Sequence, residues 1–383
     1  MEKLYYTQPG AGAFTARVLE CRPEGAAWAV RLDRTAFFPG GGGQDCDLGT
    51  LGGAAVLGMK EAEDQVWHLC AAPLEEGMEV RGVLDFARRR ELSQQHSGEH
   101  IVSGLVYRQF GYHNVGFHMG AQCMTVDFDG PISWEALTDI ERRANEAVLE
   151  DVPVRTWFPD PEELASLPYR SKKALSGPVR LVEFPGYDLC ACCGTHVERT
   201  GQIGPIKLLS CVKFHRGVRV ELLCGSRAMA YLSAVWEQNR LVSQAFSAKM
   251  LETGAAARRM NDTLEAQKRR AGALESRVFA ALAEKTAGQG DTLIFEPELT
   301  SDGVRRLADA IGRACGGTAL VLSGQDGKGY QYALCRPGGD LRELNRAMTH
   351  ALDGRGGGKP EFQQGSLRAG RREIEQFWNT KNL

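Results

Sequence analysis

Two residue pairs with the same spacing, far apart in the sequence, constrain this chain more than any other feature. His96 and His100 lie in the stretch LSQQHSGEHIVSGL, which has helical periodicity. Residues i and i+4 of a helix lie on one face, so both imidazoles can point at a common centre. Cys192 and His196 repeat the spacing within YDLCACCGTHV. A fold that uses both pairs must bring two remote segments together.

The two pairs together predict a metal site. A histidine pair alone is a weak signal, because such pairs are often incidental or hydrogen-bonded. A thiolate with three imidazoles, however, is a ligand set that suits Zn²⁺. The predicted Zn²⁺ ligands are His96, His100, Cys192 and His196. Cys190 and Cys193 are alternative sulfur ligands or structural residues.

The bulk properties favour a multidomain intracellular protein. A chain of 383 residues exceeds the roughly 250 to 300 residues at which single cores stop growing. The net charge of −2 gives no overall sign of nucleic-acid binding, which would depend on local clusters. The 11 cysteines are scattered apart from the 190–193 cluster, unlike a secreted disulfide framework. Without a signal sequence or an apolar run of membrane-spanning length, we expect a cytoplasmic protein.

The order of the patterns predicts an α+β multidomain fold. Short alternating runs predict a small all-β module of β-barrel type, and a helix from near Asp85 to Gly111 opens a mixed α/β domain. A proline-free stretch predicts a spacer of two antiparallel helices with a break near Gly254. Strands flanking a helix then predict a small C-terminal α/β domain. The predicted domains are 1–86, 87–225, 226–288 and 289–383.

Two glycine runs stand out. In FFPGGGGQDCDLG, residues 37–49, four consecutive glycines expose backbone that a ligand or another chain can approach closely, or else form a floppy hairpin loop. In GRGGGKPEFQQG, residues 354–365, exposed backbone N–H groups between two cations suit phosphate binding. Taken alone, the second run predicts only a flexible loop.

These motifs resemble the editing domain shared by alanyl-tRNA synthetases and the free-standing alanyl-tRNA editing proteins of the AlaX family. The similarity lies in H-x-x-x-H followed by CCGTHV, in PGGGGQ, and in the strand-like stretches GQIGPIKLL and GVRVELLCG. GRGGGKPEFQQG resembles the glycine signature of the synthetase's C-terminal domain. The similarity spans almost the whole chain, but the class II aminoacylation region has no counterpart.

The resemblance implies a zinc-dependent trans-editing hydrolase for tRNA(Ala) that carries serine or, as a second substrate, glycine. An alanine pocket cannot exclude a smaller residue and rejects an added hydroxyl only about a hundredfold. A second site that hydrogen-bonds the hydroxyl can discriminate by up to roughly 10⁴ to 10⁵. The resemblance also implies that the C-terminal domain binds tRNA and can mediate a homodimer.

Residue roles carry over where positions match the family. The four predicted zinc ligands match its metal ligands. The expected substrate-binding residues are Gly40, Gly41, Gly42, Gly43, Gln44, His118, Gln122 and Thr195. The family's hydroxyl-recognising threonine has no clear counterpart in NVGFHMGAQC, where His118 or Gln122 occupies that region. Thr195 alternatively supports the turn. The expected tRNA-binding residues are Arg355, Gly356, Gly357, Gly358 and Lys359.

The mechanism is less determined. Four protein ligands close a tetrahedral site, whereas hydrolytic zinc keeps a position open. Either one ligand is loose, or the metal anchors the terminal adenosine and polarises the ester while Glu99 steers a water. Glu99 is alternatively a helix-surface carboxylate.

Two other functions fit parts of the sequence. HSGEH satisfies H-x-x-E-H, the inverted zinc metalloprotease pattern, in which Glu99 is the general base. The thiolate half-site argues against this alternative. A third possibility is a non-catalytic, zinc-stabilised tRNA-binding protein.

Overall fold

A computed structural model describes residues 1–62, 65–171 and 177–380. The chain divides into two compact units, Met1–Leu241 and Val242–Leu383. Helices and sheets occur in both, as the predicted mixed α/β composition requires. The four predicted domain boundaries stay a prediction. None of the described helices is long and apolar enough to span a membrane.

The first unit begins with a closed six-stranded barrel in the order β2-β3-β7-β6-β5-β8. Pairing of β2 with β8 closes it. Alternating apolar side chains fill the interior, and Val30 and Leu32 are fully buried. The elements are β1 (Glu2–Lys3), α1 (Leu4–Thr7), β2 (Ala13–Glu24), β3 (Ala27–Leu32), β4 (Arg34–Thr35), β5 (Gly49–Leu51), β6 (Ala54–Ala62), β7 (Gln65–Cys70) and β8 (Glu79–Leu84).

Helix α2 (Phe86–Phe110) follows the barrel and carries both histidines of the first pair. The Asp85 carboxylate accepts a hydrogen bond from the Arg88 backbone N–H, and Gly111 ends the helix with φ 73°. Both ends agree with the sequence prediction. The helix buries polar side chains as well as its apolar face. Buried polar groups need partners, so this helix requires hydrogen-bonding neighbours.

Two sheets complete the first unit, in the orders β14-β15-β10-β9 and β11-β12-β13. Apolar residues of α2, of the next long helix and of the first sheet share one core. The elements are β9 (Asn114–Met119), β10 (Met124–Phe128), α3 (Trp134–Glu150), β11 (Arg155–Trp157), α4 (Pro161–Ser166), β12 (Leu181–Phe184), β13 (Asp188–Ala191), a 3₁₀ turn (Thr200–Ile203), β14 (Ile206–Phe214), β15 (Gly217–Cys224) and α5 (Gly225–Ala245). The CCGTH segment directly follows β13.

The second unit is built on a five-stranded sheet in the order β16-β17-β18-β20-β19. Its elements are α6 (Thr253–Lys285), β16 (Gly290–Phe295), α7 (Ser301–Ala314), β17 (Gly316–Gln325), β18 (Gly329–Cys335), α8 (Arg342–Ala351), β19 (Gly354–Lys359), β20 (Phe362–Leu367) and α9 (Arg371–Thr380). The helical break lies before Gly254, which falls in the first turn of α6. The antiparallel arrangement of α5 and α6 stays a prediction.

The glycine run at the C-terminal end is not a loop. Residues 354–359 form the edge strand β19, paired antiparallel with β20. A Cβ at Gly356 would lie 2.1 Å from the Tyr332 hydroxyl oxygen, and one at Gly354 would meet Leu367 and Thr349. The glycines are needed because neighbouring groups pack directly against this strand.

Candidate metal centre

The structure brings the two remote pairs together. Each of the four residues offers one ligand atom, and these atoms lie within 4.8 Å of one another. The residues are His96, His100, Cys192 and His196. The Cys192 Sγ and His96 Nε2 atoms are 3.4 Å apart. A tetrahedral zinc ion with bonds of about 2.0 to 2.3 Å holds its ligand atoms about 3.3 to 3.8 Å apart. The spacing of this cluster therefore fits Zn²⁺.

The side chain of Gln44 fixes the tautomer of His96. The Thr195 backbone N–H donates to Gln44 Oε1 at 3.1 Å, so this atom is the amide oxygen. His96 Nδ1 lies 2.8 Å from the same oxygen and must therefore carry a proton. The proton on Nδ1 leaves the Nε2 lone pair of the neutral ring free towards Cys192. Gln44 completes its contacts by donating from Nε2 to Thr195 Oγ1 at 2.7 Å.

A buried carboxylate orients His100 in the same way. Asp188 Oδ2 lies 2.9 Å from His100 Nδ1, and Arg170 donates to both Asp188 oxygens at 2.7 and 2.8 Å. Metal-bound histidines usually donate their second N–H to such an acceptor. Burial lowers the pKa of His100, but the hydrogen bonds to Asp188 and Cys192 and the nearby negative charges together outweigh it, and the pKa rises to about 9. Metal binding at His100 must therefore displace a proton.

His196 supplies an independent indication of a metal. Both of its ring nitrogens are buried, and neither has a hydrogen-bond partner in the part of the chain that the structure describes. Burial lowers its pKa to about 3, which keeps the ring neutral. An unpaired buried imidazole is costly. A metal ion would satisfy the nitrogen that faces the cluster.

Among the three neighbouring cysteines, Cys192 lies in the four-residue cluster, whereas Cys190 lies in a second possible metal group with His100 and Asp188. Burial raises the pKa of the Cys192 thiol, but the imidazoles of His96, His196 and His100 together lower it more, and it falls well below its ordinary value. Burial raises the pKa of both Cys190 and Cys193. Cys193 is exposed. Because the thiolate is the metal-binding form, this favours Cys192.

The four-glycine loop is an ordered turn beside the cluster. All four glycines have positive φ, from 63° at Gly42 to 129° at Gly41, where other residues are strained. A Cβ at Gly43 would lie 2.6 Å from the Phe117 ring. The glycine backbone therefore approaches the site closely, and the loop delivers Gln44 to His96.

A cavity of about 500 Å³ opens onto the cluster. Its lining includes His96 and His100, Gly42 and Gly43, and Phe117, whose ring stacks on His96 with centroids 5.3 Å apart. This volume is in the range typical of small-ligand sites.

Other predicted substrate-binding residues lie outside this cavity. His118 and Gln122 are exposed, and in their region the cavity is lined by Val115, Gly116 and Phe117. For His118 the reason is strand alternation, since it points to the face of β9 opposite Phe117, whereas Gln122 lies in the bend after this strand. Thr195 is buried and bonded to Gln44, which agrees with support of the turn. Gly40 and Gly41 shape the loop without lining the cavity.

Glu99 also differs from the expectation of a carboxylate facing the substrate. It is fully buried, accepts a hydrogen bond from Ser103 Oγ at 2.5 Å and one from the Asn114 amide, and is not among the described residues that line the cavity. Nor does it lie on the helix surface, because α2 is covered on this side. Its contacts join α2 to the first residue of β9.

Three residues beside the cluster were not identified as site residues from the sequence. Asp188 stands in the same stretch as the cysteines, and the common pairing of metal-bound histidine with carboxylate is the signal that indicates it. Arg170 and Arg180 carried no such signal, because both reach the site only through the fold. Arg180 donates to the backbone oxygens of Cys192 and Gly194, each at 3.0 Å.

We predict that Gln44→Ala weakens zinc binding about 10- to 100-fold, the usual effect of removing a partner of a metal-bound histidine. The substitution leaves His96 free to rotate and the Thr195 N–H unpaired. Competition with a chromophoric chelator measures the affinity. Gln94→Ala is the matched control, because Gln94 is a glutamine on α2 whose amide bonds Gln202 and Ser226 away from the ligands. Equal affinity of both variants would contradict the role of Gln44.

Comparisons with known proteins agree with this geometry. Residues 179–221 match the family model described as the threonyl and alanyl tRNA synthetase second additional domain. The alanyl-tRNA editing protein Aarsd1 of Danio rerio is 28% identical over 352 residues, 88% of this chain and 84% of that protein. The alanyl-tRNA editing protein AlaX-L of Pyrococcus horikoshii is 29% identical over 245 residues, 61% of each protein. The alanine–tRNA ligase of Thermofilum pendens is 31% identical over 390 residues, 95% of this chain but 42% of the ligase.

Proposed function

Because this chain is related to the alanyl-tRNA editing proteins, we propose that it is a zinc-dependent trans-editing hydrolase. Its substrate is tRNA(Ala) carrying the wrong amino acid, mainly serine and secondarily glycine. The observation that carries the proposal is the buried Cys-His₃ cluster at the end of a cavity. Because charged tRNA is used in protein synthesis, we place the activity in the cytoplasm.

The residues around the cluster have different proposed roles. Zn²⁺, when bound by the four ligands, would act as a Lewis acid towards the ester carbonyl. Gln44 and Asp188 hold His96 and His100 in their metal-binding tautomers. Phe117 and the Gly42–Gly43 backbone limit the space beside the metal, which suits selection among small amino acids. Arg180 fixes the backbone between two of the ligands.

Glu99 takes part by positioning. Its carboxylate holds Asn114, where β9 begins, and β9 carries Val115 and Phe117 to the cavity. We expect Glu99→Gln, which keeps an acceptor oxygen, to retain zinc and most of the activity. Glu99→Ala leaves the Asn114 amide with only the longer 3.3 Å hydrogen bond to Ser103 Oγ and should lower hydrolysis about tenfold or more, the effect of losing a buried hydrogen bond to a carboxylate. If zinc-loaded Glu99→Gln is inactive, Glu99 acts instead as the general base.

The protease alternative loses support from the same contacts. In an H-x-x-E-H protease the glutamate faces the substrate, whereas Glu99 bonds Ser103 and Asn114. A thiolate ligand also does not suit that class. The purely structural zinc alternative is weakened by the cavity, because a closed structural site needs no opening to solvent.

One experiment separates these functions. Deacylation of seryl-, glycyl- and alanyl-tRNA(Ala) is measured with the zinc-loaded protein, with and without a chelator, and casein hydrolysis is measured in parallel. We expect chelator-sensitive release of serine faster than alanine, and no casein cleavage. Casein cleavage would indicate the protease, and tRNA binding without any deacylation would indicate the non-catalytic protein.

The C-terminal unit is proposed to bind the tRNA backbone. Strand alternation places Arg355, Gly357 and Lys359 on one face of β19 and Gly356 and Gly358 on the other. Arg355 and Lys359 are exposed and make no ion pair with the described residues. Replacing both cations with alanine should weaken tRNA binding. The slope of the logarithm of the binding constant against the logarithm of the salt concentration should fall by the amount expected for about two lost phosphate contacts. Deacylation of short charged oligonucleotides serves as the control.

We also propose a homodimer through α6. Four half-exposed residues form an apolar stripe on this helix: Met260, Leu264, Leu274 and Val278. Their spacing is symmetric about residue 269, so an antiparallel second copy would pair Leu264 with Leu274 and Met260 with Val278. Sedimentation analysis of the wild type and of Leu264→Lys tests this, and a monomeric wild type would contradict it.

A further inference from the structure

We propose that Arg180, Tyr6 and Phe158 form a nucleotide subsite in the wall of the metal-site cavity, in which Arg180 binds a phosphate and Phe158 stacks on a base. All three residues line the cavity. The inference rests on the proposed function. The aminoacyl ester sits on the 3′-terminal ribose of tRNA, so the phosphate of that nucleotide lies only one sugar away from the bond to be cleaved.

Arg180 is the exception among the buried arginines of the described chain. Arg89 is paired with Asp47 and Arg170 with Asp188. Arg180 is 8% exposed and has no carboxylate partner among residues 1–62, 65–171 and 177–380. A buried cation is costly unless an anion compensates it. The nearby Cys192 thiolate is a predicted zinc ligand, so an anionic ligand in the cavity would supply the charge that Arg180 still lacks.

The guanidinium is held in a fixed orientation. Its Nη1 donates to the backbone oxygens of Cys192 and Gly194. Its Cζ lies over the Tyr6 ring, 4.8 Å from the ring centroid. Nη1 is the only guanidinium nitrogen that donates a hydrogen bond to the described residues. The N–H groups of Nε and Nη2 therefore remain as donors for a ligand. Planar guanidinium donors match the geometry of phosphate oxygens.

Aromatic side chains continue the wall beyond Arg180. The Tyr6 and Phe158 rings meet edge to face with centroids 5.8 Å apart. Phe158 is 52% exposed although it lines a cavity, so one face of its ring is open. Bases stack on such rings with little dependence on sequence. A zinc ion with one thiolate ligand would add a net positive charge to the same cavity and favour an anion further.

The test uses a pair of small substrates that differ in one phosphate: the 3′-serine esters of adenosine and of adenosine 5′-monophosphate. For the zinc-loaded full-length protein we expect kcat/KM to be roughly tenfold or more higher for the phosphorylated ester, as for a charged hydrogen bond. Arg180→Gln should bring the ratio of the two rates close to one, and Arg180→Lys should restore part of it. Phe158→Ala should raise KM for both esters, whereas Trp134→Ala, a half-exposed aromatic outside the cavity, should not.

Two outcomes would overturn the subsite. In one, the wild type does not distinguish the esters. In the other, Arg180→Gln lowers both rates and leaves their ratio unchanged, which would mean that Arg180 only supports the Cys192–Gly194 backbone. Failure of the proposed function gives a different result, because then neither ester nor seryl-tRNA is hydrolysed. In that case the subsite is tested by calorimetry with adenosine 5′-monophosphate and adenosine. Tighter binding of the monophosphate by the wild type, with loss of this preference in Arg180→Gln, supports the subsite. Equal binding of the two ligands by the wild type refutes it.

Discussion

Cys192→Ala is expected to abolish zinc binding and seryl-tRNA hydrolysis together. The substitution removes the thiolate and leaves three buried imidazoles, of which His196 has no other partner among the residues described. Loss of a direct ligand should lower zinc affinity by more than about a hundredfold, the upper end for loss of an indirect partner. Metal analysis after dialysis and chelator competition measure the affinity, and deacylation measures the activity.

The neighbouring cysteines provide matched controls for this substitution. Cys193→Ala changes an exposed thiol, and Cys190→Ala changes a buried one with a raised pKa. Both variants should keep one zinc ion per chain. If Cys192→Ala keeps its zinc and one of the controls loses it, the ligand assignment is wrong and that cysteine replaces Cys192.

Asp188→Asn is expected to produce the second large effect, on stability as well as on the metal. The side chain joins His100 to Arg170 in a buried network. Breaking a buried ion pair leaves an uncompensated charge and costs about 3 to 5 kcal/mol. The amide NH₂ of asparagine must face either His100 Nδ1 or Arg170, both of which donate to Asp188, so the substitution should lower zinc affinity about 10- to 100-fold. Urea denaturation of the metal-free protein and chelator competition separate the two effects.

Asp127→Asn is the control for this variant. Asp127 also binds an arginine through both oxygens, at 2.6 and 2.8 Å, but the Arg219 side chain is 37% exposed. Solvent screens such a pair, so its loss should cost much less stability than that of the buried Asp188 network and leave zinc binding intact. Similar stability losses in both variants, or unchanged zinc affinity in Asp188→Asn, would refute the proposed network.

Local signals explain what could be predicted from the sequence. The limits of α2 follow from a capping carboxylate at Asp85 and a left-handed glycine at Gly111, both of which act within one helical turn. The i, i+4 spacing of His96 and His100 likewise needs only the helix. The convergence with Cys192 was inferred from ligand chemistry, and no pattern in the sequence by itself fixes a contact across that distance.

What escaped prediction depends on partners that are remote in sequence. The run at residues 354–359 forms a strand because β20 pairs with it and Tyr332 fills the space that side chains would take. The direction of Glu99 is set by Asn114 on another element. His118 points away from the cavity because of the register of β9. Alternation predicts that neighbouring side chains of a strand point to opposite faces, but it does not predict which of them faces the cavity. The role proposed for Arg180 depends on the fold, which buries this side chain without a carboxylate partner among the described residues.

The amide of Gln44 has a consequence for the order in which this protein matures. It bonds two segments at once, and its bond to Thr195 spans 151 residues. Contacts that close such long loops carry a high entropic cost and form late in folding. During synthesis on the ribosome the barrel can be complete well before residue 196 emerges, yet the ion has no full set of ligands until then. Metal uptake at the proposed site would therefore report that the segment of Cys192 and His196 has docked against helix α2.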